Sequence, residues 1–304
     1  MFSTMNNHAK FHHCRRISNY LIMAIILYLF TLRCEASEDA QPPKIGNFAL
    51  PTSQQPGPLV GFGQNMLDKN ETQLFLFADD YAGVNQHFID FVPSVLYGIT
   101  DNFSIFINAP YAASYKMGQQ KSAGFEDAFA QLEYTFYNKS TSTYVDQATV
   151  VVNITVPTGS IQKTPPTGVG SPSFFLGTTF NRTYINWFVF GSPGAVLTTA
   201  KNSTKFGNSY LYQFGLGRNI ANINGWMLAW MAEIDGTYTQ RNRVRGVIDP
   251  NSGGNIVYVT PSIWASTKKF IFQLGVGLPV TQHLYGSQTR DTYLLVANIG
   301  WSIY

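Results

Sequence analysis

Charge is what this sequence has least of. Asp, Glu, Lys and Arg make up 12% of its 304 residues, while aromatic residues make up 15%. Soluble domains carry about 25% charged residues, so a water-exposed globular surface is under-supplied here. Cysteine is nearly absent as well. The two present, Cys14 and Cys34, lie in the first 36 residues, so the remainder can have neither a disulfide framework nor a thiol nucleophile. Histidine is equally sparse beyond that point, with His87 and His283 alone, which excludes a histidine-rich metal cluster. Long apolar runs are missing too. The longest, Tyr20 to Leu32, is too short to cross a bilayer comfortably as a helix.

That run has a different meaning. Lys10, Arg15 and Arg16 precede it and Cys34-Glu35-Ala36 follows it, which together read as a secretory leader spanning 1–36, cleaved after Ala36. A lipoprotein signal is disfavoured because Arg33 stands where that signal wants a small residue. The leader takes four basic residues and one acidic residue with it, so 20 against 17 becomes 16 against 16. The small positive balance belonged to the leader, and nothing in the mature chain points to nucleic acid. Residues 37–70 are rich in proline and glycine and show no sustained period, so they form an irregular periplasmic arm or a plug in a barrel mouth.

What is present after residue 70 is alternation. FIFQLGVGLPVT sets Phe270, Phe272, Leu274, Val276, Leu278 and Val280 on one face against Gln273, Gly275 and Gly277. WMLAWMAEIDGTY does the same with Trp226, Leu228, Trp230, Ala232 and Ile234 against Met227, Met231, Glu233 and Asp235. The chain ends on such a stretch, with Leu295, Ala297, Ile299, Trp301 and Ile303 in phase. A two-residue period means strands with one apolar face. The same pattern recurs at about 72–80, 87–99, 103–111, 128–136, 147–157, 172–181, 185–198, 207–218, 255–265 and 291–304. With the two quoted strands from 226 and 270 the count is twelve.

Short connections (100–102, 138–146, 181–184, 219–225, 266–269) alternate with long or charged ones (115–124, 158–171, 200–206, 240–254, 282–290). Short turns on one rim, longer loops on the other and an even strand count predict an all-β fold, a transmembrane antiparallel up-and-down β-barrel over 71–304. A soluble sandwich or propeller is the alternative, but one core could hardly take so many large outward aromatics. Phe88, Tyr111, Tyr134, Phe136, Trp187, Tyr210, Tyr212, Trp226, Tyr238 and Trp301 gather near strand ends, as interfacial girdles do.

Several phrases then resemble a known family. GFEDAFAQLEYTF (124–136), VVVNITVPTGS (150–160), GVGSPSFFLGTTF (168–180), LAWMAEIDGTYTQRNR (228–243), GNIVYVTPSIWAS (254–266) and FIFQLGVGLPVTQ (270–282) are similar, in order, to strands of the outer-membrane transporter family named for the meta pathway of phenol degradation. The resemblance implies a barrel in the outer membrane of a Gram-negative bacterium, connected with uptake of hydrophobic or aromatic compounds. Two positions depart from the pattern: Glu126 replaces an expected glycine before Asp127, and Tyr304 falls one place off the usual terminal aromatic phase. Tyr304 is still expected to be the residue that the barrel-assembly machinery reads.

The inward phase collects the candidate lumen-lining residues Asp90, Asn108, Asp127, Gln131, Glu133, Asn153, Gln213, Glu233, Asp235 and Gln273. Cations fall in the expected loops instead, at Lys116, Lys121, Lys163, Lys201, Lys205, Arg241, Arg243, Arg245 and Arg290, where lipopolysaccharide phosphates are their natural partners. An acidic lumen would favour cations or neutral solutes, or its carboxylates could simply solvate a plugged interior. Both histidines are expected in loops. His283, Ser287 and Asp291 are near enough in sequence to imagine a hydrolase triad, but no catalytic residue, cofactor or metal is required by any spacing. Three functions follow: a channel for small solutes, a structural or adhesive surface barrel, and a barrel hydrolase.

Overall fold

The computed structural model describes residues 40–63 and 66–303. The leader at 1–36, with Cys14 and Cys34, and the terminal Tyr304 lie outside the described residues.

Twelve strands close into one antiparallel barrel. They are β1 (Thr72–Gly83), β2 (Gln86–Thr100), β3 in two pieces (Phe103–Asn108 and Tyr111–Met117) and β4 in two pieces (Gln120–Phe125 and Ala128–Ser140). The rest are β5 (Tyr144–Val156), β6 (Ser173–Tyr184), β7 (Trp187–Thr198), β8 (Ser209–Ile223), β9 (Trp226–Thr239), β10 (Gly254–Ser266), β11 (Phe270–Leu284) and β12 (Asp291–Ile303). Each strand pairs with its sequence neighbour, and β1 pairs with β12 from Thr72↔Ile303 to Gly83↔Asp291, so the ladder has no free edge at the seam.

Alternation decides which side chain faces out. On β11, Phe270, Phe272, Val276, Leu278 and Val280 are exposed while Ile271, Gln273, Gly275 and Gly277 are buried. On β9, Trp226, Leu228, Trp230 and Ile234 face out, and Met227, Ala229, Met231, Glu233 and Asp235 face in. A surface that exposes Phe214, Leu216, Ile263, Ile299 and Trp301 is one that water would penalise and a bilayer would not.

One rim carries only tight turns, such as Asn224-Gly225 between β8 and β9, both at positive φ, while the two-residue turn Val84-Asn85 between β1 and β2 lies on the other. The Asn224-Gly225 pair matches the turn whose twist suits a two-residue hairpin. The other rim carries the segments 157–172, 199–208, 240–253 and 285–290, two of which add short ladders at Ala200–Lys201, Thr204–Lys205, Arg243–Val244 and Val247–Ile248.

Several expected connections are strand instead. The stretch 115–124, read as a long loop, is the turn of a hairpin centred on Gly118, because β3 and β4 resume beyond breaks at Ala109-Pro110 and Glu126-Asp127. Proline lacks an N–H for the ladder, and the two breaks sit side by side. The expected turn 181–184 belongs to β6, so Arg182 stands on the barrel wall. His87 and His283, expected in loops, lie on β2 and β11, and His87 Nε2 is 2.6 Å from Asp80 Oδ1.

Candidate lumen site

Residues 40–63 enter the barrel from the tight-turn rim and rise to mid-height, and residues 66–71 lead back down to β1. Asn47 starts the path, its backbone N–H donating to Ile185 O at 2.6 Å and its side-chain amide to Tyr184 O at 2.9 Å. Next, Gln54 Nε2 donates to Ser302 Oγ at 2.6 Å, and Ser266 Oγ donates to Gln54 O at 2.8 Å. Higher up, Gln273 Nε2 donates to Gly57 O at 2.9 Å.

At mid-height three successive backbone N–H groups point at one carboxyl group. Leu59 N–H donates to Glu233 Oε1 at 2.8 Å, and Gly61 and Val60 donate to Oε2 at 3.1 and 3.3 Å. Phe62 N–H then meets Gln213 Oε1 at 3.3 Å, and Thr179 Oγ1 donates to Phe62 O at 2.8 Å. The chain reverses near Gly63, whose φ of 83° puts it in the left-handed region. A Cβ there would come within 2.4 Å of Thr179 Oγ1, so glycine is required twice over. On the way down Leu67 N–H reaches Ser104 Oγ at 3.3 Å, and Asn70 N–H donates to Gly98 O at 2.8 Å before β1 begins. Irregular backbone has no ladder of its own, and the inward polar side chains supply its partners.

Beside this arm the inner wall is apolar to an extent alternation did not reveal. Leu67 packs with Phe75, Leu96, Phe106, Ala229, Trp264 and Ile271, and Leu59 with Phe188, Phe190, Met231 and Val296. The Phe62 ring lies 4.5 Å from that of Phe175, edge to face. It covers Gly177 and Gly194, where an added Cβ would sit 2.4 and 2.8 Å from it. Between arm and wall remains a cavity of about 330 Å³. Phe75, Phe77, Phe106, Phe129 and Trp264 line it, with Asn108, Gln131, Asp79 and Asn298 among its polar members. Asn108 Nδ2 and Asn298 Oδ1 are buried without a hydrogen-bond partner.

Toward the loop rim the lumen becomes a belt of carboxyl and phenol groups. Tyr115 Oη lies 2.5 Å from Glu126 Oε2 and 3.3 Å from Asp90 Oδ2. Tyr81 and Tyr258 both donate to Asp291. Burial pushes the Glu126 carboxyl up to about 7, against the pull of the Tyr115 hydrogen bond and with help from the charges of Asp90 and Asp127. At the opposite rim, burial likewise raises Glu71, which accepts from Ser53 Oγ at 2.9 Å.

The ten candidate lumen residues separate into groups. Asn108, Gln131, Glu133, Gln213, Glu233, Asp235 and Gln273 are buried inside the barrel. Of these, Glu233, Gln213 and Gln273 face the arm directly, and Asp235 accepts from Thr260 Oγ1 at 3.0 Å and Gln213 Nε2 at 3.3 Å. Gln131 Nε2 donates to Glu133 Oε1 at 2.6 Å. Asp90 and Asn153 are half-buried on the inward phase, Asp90 in the belt and Asn153 accepting from Thr155 Oγ1 at 3.3 Å. Asp127 does not line the lumen in the expected way. It sits at the break in β4 and accepts the N–H groups of Gly159 and Val169 at 2.9 and 2.6 Å, tying down the segment 157–172.

The imagined triad is not assembled. Asp291 is committed to Tyr81 and Tyr258, and Ser287 Oγ donates to Asn251 Oδ1 at 3.2 Å. Among the described residues no group of three or more His, Cys, Asp or Glu side chains gathers as a metal site.

No family model matches the chain, and no curated protein matches it. Solved structures do resemble it. An outer-membrane channel from Pseudomonas putida F1 superposes with a TM-score of 0.65 at 15% identity, over 80% of this chain and 100% of that one. The NanC porin gives 0.46 at 9% identity, over 76% and 99%, and the CymD monoaromatic hydrocarbon channel 0.37 at 10%, over 79% and 90%. The first of these supports the barrel fold, with its strand number read from the ladder above.

Proposed function

We propose that this barrel is an outer-membrane channel for small hydrophobic or aromatic solutes, exported with a cleaved leader and gated by residues 40–71. The observation that carries the reading is the aromatic-lined cavity beside the arm. A cavity of about 330 Å³ suits a monocyclic solute, and its rings offer apolar contact that water cannot replace. Asn108 and Asn298 offer a donor and an acceptor to a polar substituent on such a ring. The resemblance of the strand phrases to the phenol meta-pathway family supports the same solute class, and the description of the Pseudomonas barrel as a channel supports passage through such a barrel.

With the tight-turn rim in the periplasm, the tyrosine–carboxyl belt would face outward to the cell surface. A neutral ring passes that belt without the repulsion an anion would meet. Bilayer lipid, surface lipopolysaccharide and the barrel-assembly machinery are then its membrane partners.

The test is uptake of a monocyclic aromatic solute into liposomes carrying the refolded mature protein, run beside planar-bilayer conductance. Uptake above empty liposomes, rising in Glu233→Gln, supports a gated channel. A barrel that conducts nothing and admits no solute in either form is a closed surface barrel, and the channel reading fails.

A further inference from the structure

The outer surface carries one groove that its own side chains leave open. Across four strands at a single height stand Ala148 on β5, Phe180 on β6, Gly191 on β7 and Phe214 on β8, each opposite the next in register. Strands lie about 4.8 Å apart, so two phenyl rings flank Gly191 from strands roughly 9.5 Å apart. A Cβ added at Gly191 would meet nothing nearer than Gln213 O at 3.8 Å, whereas at Gly177 or Gly194 it would collide with a ring. The groove measures about 380 Å³.

Its polar end is built differently. Two residues along β6 from Phe180, toward the tight-turn rim, comes Arg182, opposite Asp146. Arg182 Nε and Nη2 donate to the two Asp146 oxygens at 2.5 and 2.7 Å, and the guanidinium lies 4.4 Å from the Tyr144 ring centroid. Tyr184 and Trp187 continue this exposed aromatic row, so the pair stands at headgroup depth and the phenyl groove in the hydrocarbon. Arg182 is 43% exposed and keeps donors that Asp146 does not use. Asp146 keeps lone pairs. A group carrying both an anion and a hydrogen-bonding cation complements the pair, and an apolar chain attached to it complements the groove.

We propose that this groove binds one phospholipid with a zwitterionic, primary-amine headgroup. An acyl chain lies over Gly191 between Phe180 and Phe214, the phosphate meets Arg182, and the ammonium meets Asp146. A choline headgroup cannot donate to Asp146, and a glycerol headgroup brings no cation. The site rests on the proposed membrane placement and is independent of what crosses the lumen.

The test is native mass spectrometry of the mature barrel in mild detergent, titrated with phosphatidylethanolamine, phosphatidylcholine or phosphatidylglycerol of identical chains. One phosphatidylethanolamine should be retained in preference to the other two. Gly191→Phe, which fills the groove, and Arg182→Gln should each cut that retention about tenfold, the factor that one charge-assisted hydrogen bond carries. Heat-modifiable migration on a gel checks that each variant is folded, and Gly191→Leu is read instead if the phenylalanine variant is not. Conductance in Gly191→Phe should equal the wild type, which separates this site from the channel reading. Equal retention of the three lipids, or retention unmoved by both variants, overturns the proposal. So does a dimer that Gly191→Phe dissociates, since the groove would then be an interface between copies.

Discussion

Glu233 on β9 holds Leu59 of the N-terminal arm: the Leu59 N–H lies 2.8 Å from Oε1, and the next two N–H groups share Oε2. One inward side chain thus takes three consecutive backbone donors from the stretch 57–63, which is neither helix nor strand. Removing an acceptor from such a set leaves buried N–H groups unsatisfied, at about 1–3 kcal/mol each. Glu233→Gln replaces one oxygen with an NH₂ that can only face those donors as a second donor. The arm should loosen, seen as faster hydrogen exchange at residues 59–61 and higher conductance. Unchanged exchange there would mean that the other arm contacts suffice.

Phe62 gives a second handle on the arm. Its ring occupies the space that Gly177 and Gly194 leave open. Gly177→Ala should therefore push the ring off the wall at a cost of about 1–3 kcal/mol, as overpacking does. Gly191→Ala, on the outer face, meets only Gln213 O, at an ordinary contact distance of 3.8 Å, and should be near neutral. Thermal unfolding followed by the heat-modifiable gel shift compares the two. Equal effects would show that the arm adjusts freely around Phe62.

The barrel itself was legible because alternation reports which face is apolar, and Ile299, Trp301 and Ile303 all face out as their phase requires. The lumen was less so. In QLFLF both phases are apolar, so nothing in the period says that Phe75 and Phe77 face inward while Leu74 and Leu76 face out. The apolar inner wall exists because an arm packs on it, and the arm has no period to announce its path. Glu233 and Asp235 were legible as inward carboxyl groups but not as the partners of Leu59 and Thr260, since those partners lie 174 and 25 residues away. Asp127 was misplaced for a related reason. A break in β4 at Glu126-Asp127 ends the alternation, and phase counted through it no longer tells direction.

Val276 tests the lipid face directly. It is 37% exposed on β11 between Leu274 and Leu278, and in a bilayer that exposure is contact with acyl chains. Val276→Arg should destabilise the barrel by about 2–4 kcal/mol if the site lies near the midplane. Gln273→Arg, on the opposite face, should cost too, because Gln273 is 1% exposed and bonded to Gly57 O. Its cost should appear as arm displacement, a change in conductance, and not as lost barrel stability alone. Urea unfolding in lipid vesicles reads the first and planar bilayers the second. A neutral Val276→Arg would place this strand segment outside the bilayer.

The loop-rim break should respond to pH through Glu126. Its neighbours are Tyr115, which hydrogen-bonds it, and Asp79, Asp90 and Asp127, all of one sign. Burial holds the folded carboxyl near 7, above its ordinary value of 4.5. A group whose folded value is raised binds more protons folded than unfolded, so its contribution falls as pH rises through the window from about 4.5 to about 7. Below that window both states are protonated and above it neither is, so stability is flat on either side. The hairpin around Gly118 and the segment 157–172, which Asp127 fastens, should exchange their amide hydrogens more slowly at pH 5 than at pH 8 after correction for intrinsic rates. Glu126→Gln keeps the size and an acceptor for Tyr115 while removing the proton equilibrium, so it should hold the slow exchange at both pH values. A wild type without pH dependence here, or a Glu126→Gln variant that keeps it in full, would assign the effect to another carboxyl of the belt.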